Sequence, residues 1–284
     1  MAKKSAKSVV RRVLPIACLI LALSVSGCSR PSVERISWNV MGTIAAVQTK
    51  GCSQAAKEAF AETKAEFENI QTLLNAHCPT SEISRISKFD DSDVLCRCSC
   101  QVRDCYEAAF MLKKLTGGAF NPRWRGEGTL DLGAIAKGFA VDKAYDRLSS
   151  RKAGAACLVD LGGNIKAVSG RWTVGVKNPC AEGFAATVDL DEGEALATSA
   201  TYFRGSHIRD GLTGAPVSNG VASVTVLCRS ATIADGLSTS LFVLGPEKGR
   251  LLVSSLASGS ACGEISVFWI MEDGRAFGDA RFKQ

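Results

Sequence analysis

The sequence predicts an α+β fold. Short alternating stretches and helical stripes both abound, and they do not follow the strand–helix–strand order of a parallel sheet. The short strands of the second half gather around glycine turns, as hairpins do. From Cys28 onward the length suits one large domain or two intimately packed lobes. With 46% hydrophobic residues the chain can bury a core.

The first residues stand apart from that fold. Lys3, Lys4, Lys7, Arg11 and Arg12 precede an apolar run from Val13 to Val25, interrupted by Pro15. The run is shorter than the ~20 residues a membrane span takes. It ends in Val25-Ser26-Gly27-Cys28, a signal-peptide pattern. The pattern is similar to a bacterial lipobox, which makes Cys28 a lipidated N-terminus; a plain secretory signal is the alternative. The expected organisation is a signal over 1–27, a tether over 28–36 and a folded domain over 37–284, exported and facing the periplasm. Five of the positive charges behind the net +6 precede Cys28 and no acid does, so the remainder carries about +1. Nucleic-acid binding has no electrostatic support in such a chain.

The elements follow in order. Trp38 to Thr49 reads as a strand with Met41-Gly42-Thr43 in its middle. Gln54 to Ala76 reads as a helix, with Phe60, Phe67, Ile70 and Leu74 on one stripe. Ser81 and Glu82 start a short helix through Ile86. Cys96, Cys98 and Cys100 alternate, which suggests a strand from Cys96 to Val102, followed by a helix from Cys105 to Leu115. Thr116-Gly117-Gly118 stops that helix, and Ala119 to Pro122 is a loop. Thr129 to Leu132 alternates like a strand, Gly133 permits a turn, and a helix runs on from Ala134. Cys157 to Leu161 and Ile165 to Val168 form a hairpin around Gly162-Gly163-Asn164. Shorter strands are expected at Trp172–Val176, Thr187–Leu190, Ala195–Thr198, Ser206–Arg209 and Val221–Leu227. Two helices, Thr232–Leu244 and Glu247–Leu256, precede a closing hairpin that turns at Asp273-Gly274.

Three stretches can carry chemistry. A strand that enters a helix through Gly133 leaves free amides and a positive dipole end, a seat for a phosphate; an ordinary strand–turn–helix with a solvated Lys137 is the plain alternative. Histidine is scarce: only His77 and His207 occur, and His207 stands at a predicted strand end, where it reads as a general base or as a plain surface histidine. On a helix, Asp235 and Thr239 share one face. A carboxylate and a hydroxyl so placed are hard oxygen ligands suited to Mg²⁺, with a backbone carbonyl near Ala134 as a further ligand; an acid in a first helical turn is otherwise a dipole partner. The His-Glu-x-x-His, Walker and Gly-x-Ser-x-Gly signatures are absent from the sequence. Of twelve cysteines, those beyond Cys28 read as disulfides or small hydrophobes, since zinc-type Cys-x-x-Cys pairs are lacking around Cys96–Cys105.

Taken in register, these motifs resemble the ApbE family of FAD:protein FMN transferases. The likeness rests on Met41-Gly42-Thr43, Ser81-Glu82-Ile83-Ser84-Arg85, Gly118-Ala119-Phe120-Asn121-Pro122 and, most specifically, Leu130-Asp131-Leu132-Gly133-Ala134-Ile135-Ala136-Lys137-Gly138. Leu161-Gly162-Gly163, Thr198-Ser199, His207-Ile208, Thr213-Gly214 and Ala234-Asp235 with Thr239 complete it. The resemblance implies a T-fold-like architecture with FAD between lobes and Mg²⁺ at the pyrophosphate. It implies that Met41, Ala119, Phe120, Asn121, Asp131, Lys137 and Ile208 hold FAD. Ala134, Asp235 and Thr239 would hold Mg²⁺, and His207 would be the base. The implied reaction moves the FMN half of FAD onto a Thr or Ser hydroxyl of an exported target flavoprotein and releases AMP.

The chain departs from the family pattern at three places. Asp210-Gly211 replaces Asp-Pro, Ala200-Thr201 replaces Gly-Asp, and His77 stands where many members have an aromatic that borders the flavin. That last position bears on transfer versus hydrolysis. An FAD pyrophosphatase using the same Mg²⁺ site and a non-catalytic FAD-binding lipoprotein are therefore the alternatives.

Overall fold

The computed structural model describes residues 33–51, 54–201, 208–257 and 263–284. The signal segment, Cys28 and His207 lie outside the described residues, as does Ser206 of the strand expected there. Arg209 forms a single bridge to Pro216.

β1 (Val33–Val40) and β2 (Thr43–Lys50) form an antiparallel hairpin. This corrects the expectation of one strand through Met41-Gly42-Thr43. Met41 and Gly42 have φ of 51° and 68°, and two successive positive φ values close the tight turn that matches strand twist.

Four helices follow: α1 (Gln54–Leu74), α2 (Glu82–Ile86), α3 (Asp91–Arg97) and α4 (Cys100–Leu115). The stripe expected on α1 is buried. Ser81, Asp90 and Ser99 cap α2, α3 and α4 by accepting from Ser84, Asp93 and Val102 amides. The strand expected over Cys96–Val102 is thus two helix ends. Its cysteine alternation with Arg97 and Ser99 imitates a period of two, but Ser99 is a helix cap. Cys96, Cys98, Cys100 and Cys105 carry free thiols.

The segment Thr129 to Leu132 is irregular rather than a strand. It is fixed locally, by the Asp131 amide on the Pro122 carbonyl (2.8 Å) and Thr129 Oγ1 on the Gly126 carbonyl (2.8 Å). Helix α5 (Ala136–Ser150) begins directly after it.

The second half supplies most of the sheet. β3 (Ala156–Leu161) and β4 (Asn164–Ser169) pair about Gly162-Gly163. β5 (Trp172–Lys177) and β6 (Phe184–Leu190) make a separate hairpin. Then come β7 (Ala195–Ala200), β8 (Val221–Cys228), α6 (Ala231–Ala257), β9 (Ser266–Met271) and β10 (Ala276–Gly278). Gly245 (φ 71°, ψ 174°) and Pro246 break α6 where the sequence predicts one helix ending and the next starting. Among the described residues no helix is long and apolar enough to cross a membrane.

The main sheet has the order β1-β2-β3-β4-β7-β8-β9-β10, antiparallel throughout. Successive side chains face opposite sides of it. Val159, Val226, Val267 and Trp269 enter the core with α5 and α6. Leu158, Leu227, Phe268 and Ile270 enter a second core with the β5–β6 hairpin. Burial on both faces explains why every residue of β8 is buried, Ser223 and Thr225 included.

Candidate active site

The site is built where the N-terminal ends of α5 and α6 cross. Gly138 permits the approach: a Cβ there would lie 2.2 Å from the Ala231 carbonyl oxygen and 2.8 Å from Asp235 Cβ. The Asp235 carboxylate therefore reaches the first turn of α5, where Oδ2 accepts the Gly138 amide at 2.9 Å. Lys137 Nζ stands 3.7 Å from Oδ1. Ile135, which precedes α5, gives no side-chain cap. Asp235 supplies that cap from another helix, and its charge suits the positive end of the dipole.

Asp235 is 4% exposed. Burial pushes its carboxyl up from the usual range, against the Lys137 charge, the Gly138 amide and the Asn164 side chain. One amide, one lysine and the Asn164 side chain compensate a buried anion incompletely.

Oxygen donors collect around it. Thr239 lies one turn along α6, its Oγ1 3.1 Å from Ser199 Oγ on β7 and 3.4 Å from the Asp235 carbonyl oxygen. Ser199 also meets Ser238 Oγ at 2.8 Å, so the hydroxyl row is held from the sheet. Because the Gly138 amide turns to Asp235, no backbone amide among the described residues bonds the Ala134 carbonyl. Asn164 is 2% exposed and its Oδ1 has no hydrogen-bond partner among the described residues. Among those residues no three His, Cys, Asp or Glu side chains cluster as a metal group. A carboxylate, a hydroxyl and a carbonyl are instead the donor chemistry that Mg²⁺ takes, with water completing its shell.

The loops expected to hold flavin meet next to this junction. Thr116 ends α4 by bonding the Leu112 carbonyl, and its Oγ1 accepts the Phe120 amide at 3.0 Å. Leu112 packs on Gly236 of α6, where a Cβ would come within 2.3 Å of Cδ1. Ala119 and Phe120 are buried, and Asn121 Nδ2 donates to the Gly211 carbonyl at 2.8 Å. Gly211 fits against this loop closely, since a Cβ on it would be 2.3 Å from the Gly118 oxygen. Ile208, also buried, begins the second loop, its carbonyl accepting the Val217 amide at 3.2 Å.

Asp131 faces the turn into α5: Oδ1 accepts the Gly133 amide at 2.9 Å, and Oδ2 is 3.1 Å from Arg125. Met41 sits in the β1–β2 turn with its amide on the Gln71 side chain. That turn adjoins the β3–β4 turn, since the Gly162 amide bonds the Ile44 carbonyl at 3.1 Å. His77 is exposed between α1 and α2, its amide on Asn75 Oδ1 at 3.0 Å. Of the residues expected from sequence, Asp235 and Lys137 are brought together directly, Thr239 follows Asp235 one turn along α6, and Ala119–Asn121 meet the Ile208 loop.

Four side chains of this region escaped the sequence reading: Asn164, Ser199, Asp142 and Arg123. The first three lie within or beside quoted motifs, and only their depth in the fold distinguishes them. Arg123 has a side chain 14% exposed and ties the 119–122 loop to the α2–α3 connection. It bonds Asp91 Oδ1, the Ser87 carbonyl and the Phe89 carbonyl, each at 2.9 Å.

A model described as the ApbE family matches residues 124–262. The FAD:protein FMN transferase of Vibrio cholerae is 28% identical over 304 residues, which cover 84% of this chain and 90% of that protein. A Klebsiella pneumoniae protein of the same name is 40% identical over 129 residues, and there the chain spans only 40% of that relative's length. The flavin transferase ApbE structure from Vibrio cholerae superposes with a TM-score of 0.71 at 24% identity, covering 88% of this chain and 98% of that one. The ApbE protein of Thermotoga maritima gives 0.72 at 22% identity, over 88% and 97%. These structures share the fold.

Proposed function

Because the chain belongs to the ApbE family, we propose that it transfers the FMN half of FAD to a Thr or Ser hydroxyl of another protein. The acceptor oxygen forms a bond to the FMN phosphorus, the pyrophosphate P–O bond breaks, and AMP leaves with the electron pair. The observation that carries this reading is the junction itself: Asp235 stands at the start of α5, next to the Gly133–Lys137 turn, with Thr239 one turn along α6. The diphosphate is the only part of FAD whose charge needs such a place.

In this reading the Ala134 carbonyl, the Asp235 carboxylate and the Thr239 hydroxyl would hold Mg²⁺, which would supply charge compensation for the pyrophosphate and the leaving AMP. Lys137, released from Asp235, turns its ammonium to the phosphates. The first amides of α5 add positive field there. Asn121, clamped to Gly211, fixes the loop that borders the flavin. His207 takes the proton of the attacking hydroxyl. Lipidation at Cys28 would tether the protein to a membrane, which suits an acceptor that is itself exported.

Purified protein with FAD, Mg²⁺ and a candidate acceptor domain tests the proposal. Flavin fluorescence that stays with the acceptor on a denaturing gel is the expected result. Free FMN accumulating without acceptor would make the chain an FAD pyrophosphatase, and intact FAD throughout would make it a flavin reservoir.

A further inference from the structure

We propose that Asn164 is a positioning residue of the cation site: it steadies the Asp235 carboxylate and offers its amide oxygen to a water of the cation's shell. The inference rests on the Mg²⁺ reading above.

Asn164 opens β4 and is 2% exposed. Its side chain stands against Asp235. Its Oδ1 is buried without a partner among the described residues. An unpaired buried amide oxygen is costly and calls for an explanation. The turn does not supply one, because Gly162 and Gly163 take the positive φ values, 61° and 91°, while Asn164 has none. Packing does not either, since an apolar residue would fill a buried strand position with no polar atom to satisfy.

Its place in the sheet does. Ile165 pairs with Leu196, so Asn164 lies one step farther toward the end of β7 that carries Ser199. Ser199 holds Thr239 from that strand (3.1 Å), and Asn164 attends Asp235 from the neighbouring one. The two proposed side-chain ligands are thus each supported from the sheet. Oδ1 can only accept, and a water polarised by a cation is a strong donor. Outer partners of this kind orient ligands and set affinity in metal sites generally.

Mn²⁺ is the probe, titrated onto the purified full-length chain and followed by the paramagnetic signal of the free ion. Wild type binds, and Asp235→Ala does not. Asn164→Ala is expected to bind about 10–100-fold more weakly, at a melting temperature near that of wild type. Asn164→Ser, which keeps one donor and one acceptor, falls between, and decides alone if the alanine variant does not fold. Wild-type affinity in folded Asn164 variants, with binding lost in Asp235→Ala, overturns the role of Asn164 and leaves the cation reading standing. Wild-type affinity in Asp235→Ala removes the cation reading and this inference with it.

Discussion

Asp235 and Asp142 cap each other's helices. Asp235 on α6 accepts the Gly138 amide of α5 at 2.9 Å. Asp142 on α5 accepts the Ala231 and Thr232 amides of α6 at 3.0 and 2.9 Å. The two carboxylates differ in what else they have. Asp142 also takes both hydroxyls of Ser230 and Thr232 (2.8 and 2.7 Å) and the Lys166 ammonium at 2.7 Å. Burial acts to raise its carboxyl, but Lys166 and Thr232 outweigh that and hold it below the usual range. Asp235 has one amide, the Asn164 side chain and a more distant lysine, and burial prevails. One acid is spent on structure; the other is left with charge to offer a ligand.

Gly138→Ala should separate the helices. The new Cβ meets backbone, the Ala231 oxygen at 2.2 Å, which cannot rotate away. A loss on the order of 1–3 kcal/mol is expected from such overpacking, read from urea denaturation. Gly236→Ala meets only the Leu112 side chain and should cost less.

Asp142→Ala strips Lys166, whose side chain is 8% exposed, of its counter-charge. Breaking a buried pair this way costs ~3–5 kcal/mol, and the double variant with Lys166→Met should recover much of it. The carboxyl is depressed in the folded state, so its stabilisation is complete above the ordinary value of 3.8. It is lost as pH falls through the lower folded value. Urea midpoints measured down the acid limb should fall more steeply for wild type than for Asp142→Asn.

Asp235→Asn keeps an oxygen for the Gly138 amide and removes a buried charge. In cation-free buffer at neutral pH its melting temperature should equal or exceed that of wild type, while Mg²⁺-dependent flavin transfer is lost. Asp235→Ala also discards the cap, at a cost of ~1 kcal/mol. A fully active Asp235→Asn would remove the residue from the site.

Arg123→Lys should loosen the flavin loop. Lysine cannot reproduce a planar fork reaching Asp91, Ser87 and Phe89. Weaker FAD binding with little change in overall melting is expected, and calorimetric titration of FAD measures it.

The sequence carries the strands that alternate or run apolar, the capped α2 and the break in α6 at Gly245-Pro246, because those patterns are local. Met41-Gly42 escaped because a turn built on Met at φ 51° looks like strand interior. The Cys96–Val102 strand failed because Ser99 can be a polar strand residue or a helix cap, and only neighbours decide. At the site, Asp235, Thr239 and Lys137 were readable from spacing and likeness. Asn164, Asp142 and Arg123 were not, because their role is set by which distant backbone they meet.

FAD binding followed by flavin fluorescence, with and without Mg²⁺, in wild type and Asp235→Asn, tests the central claim most directly. The account predicts that Mg²⁺ tightens FAD binding in wild type and has no effect in Asp235→Asn. Equal FAD affinity with and without Mg²⁺ in wild type would contradict it.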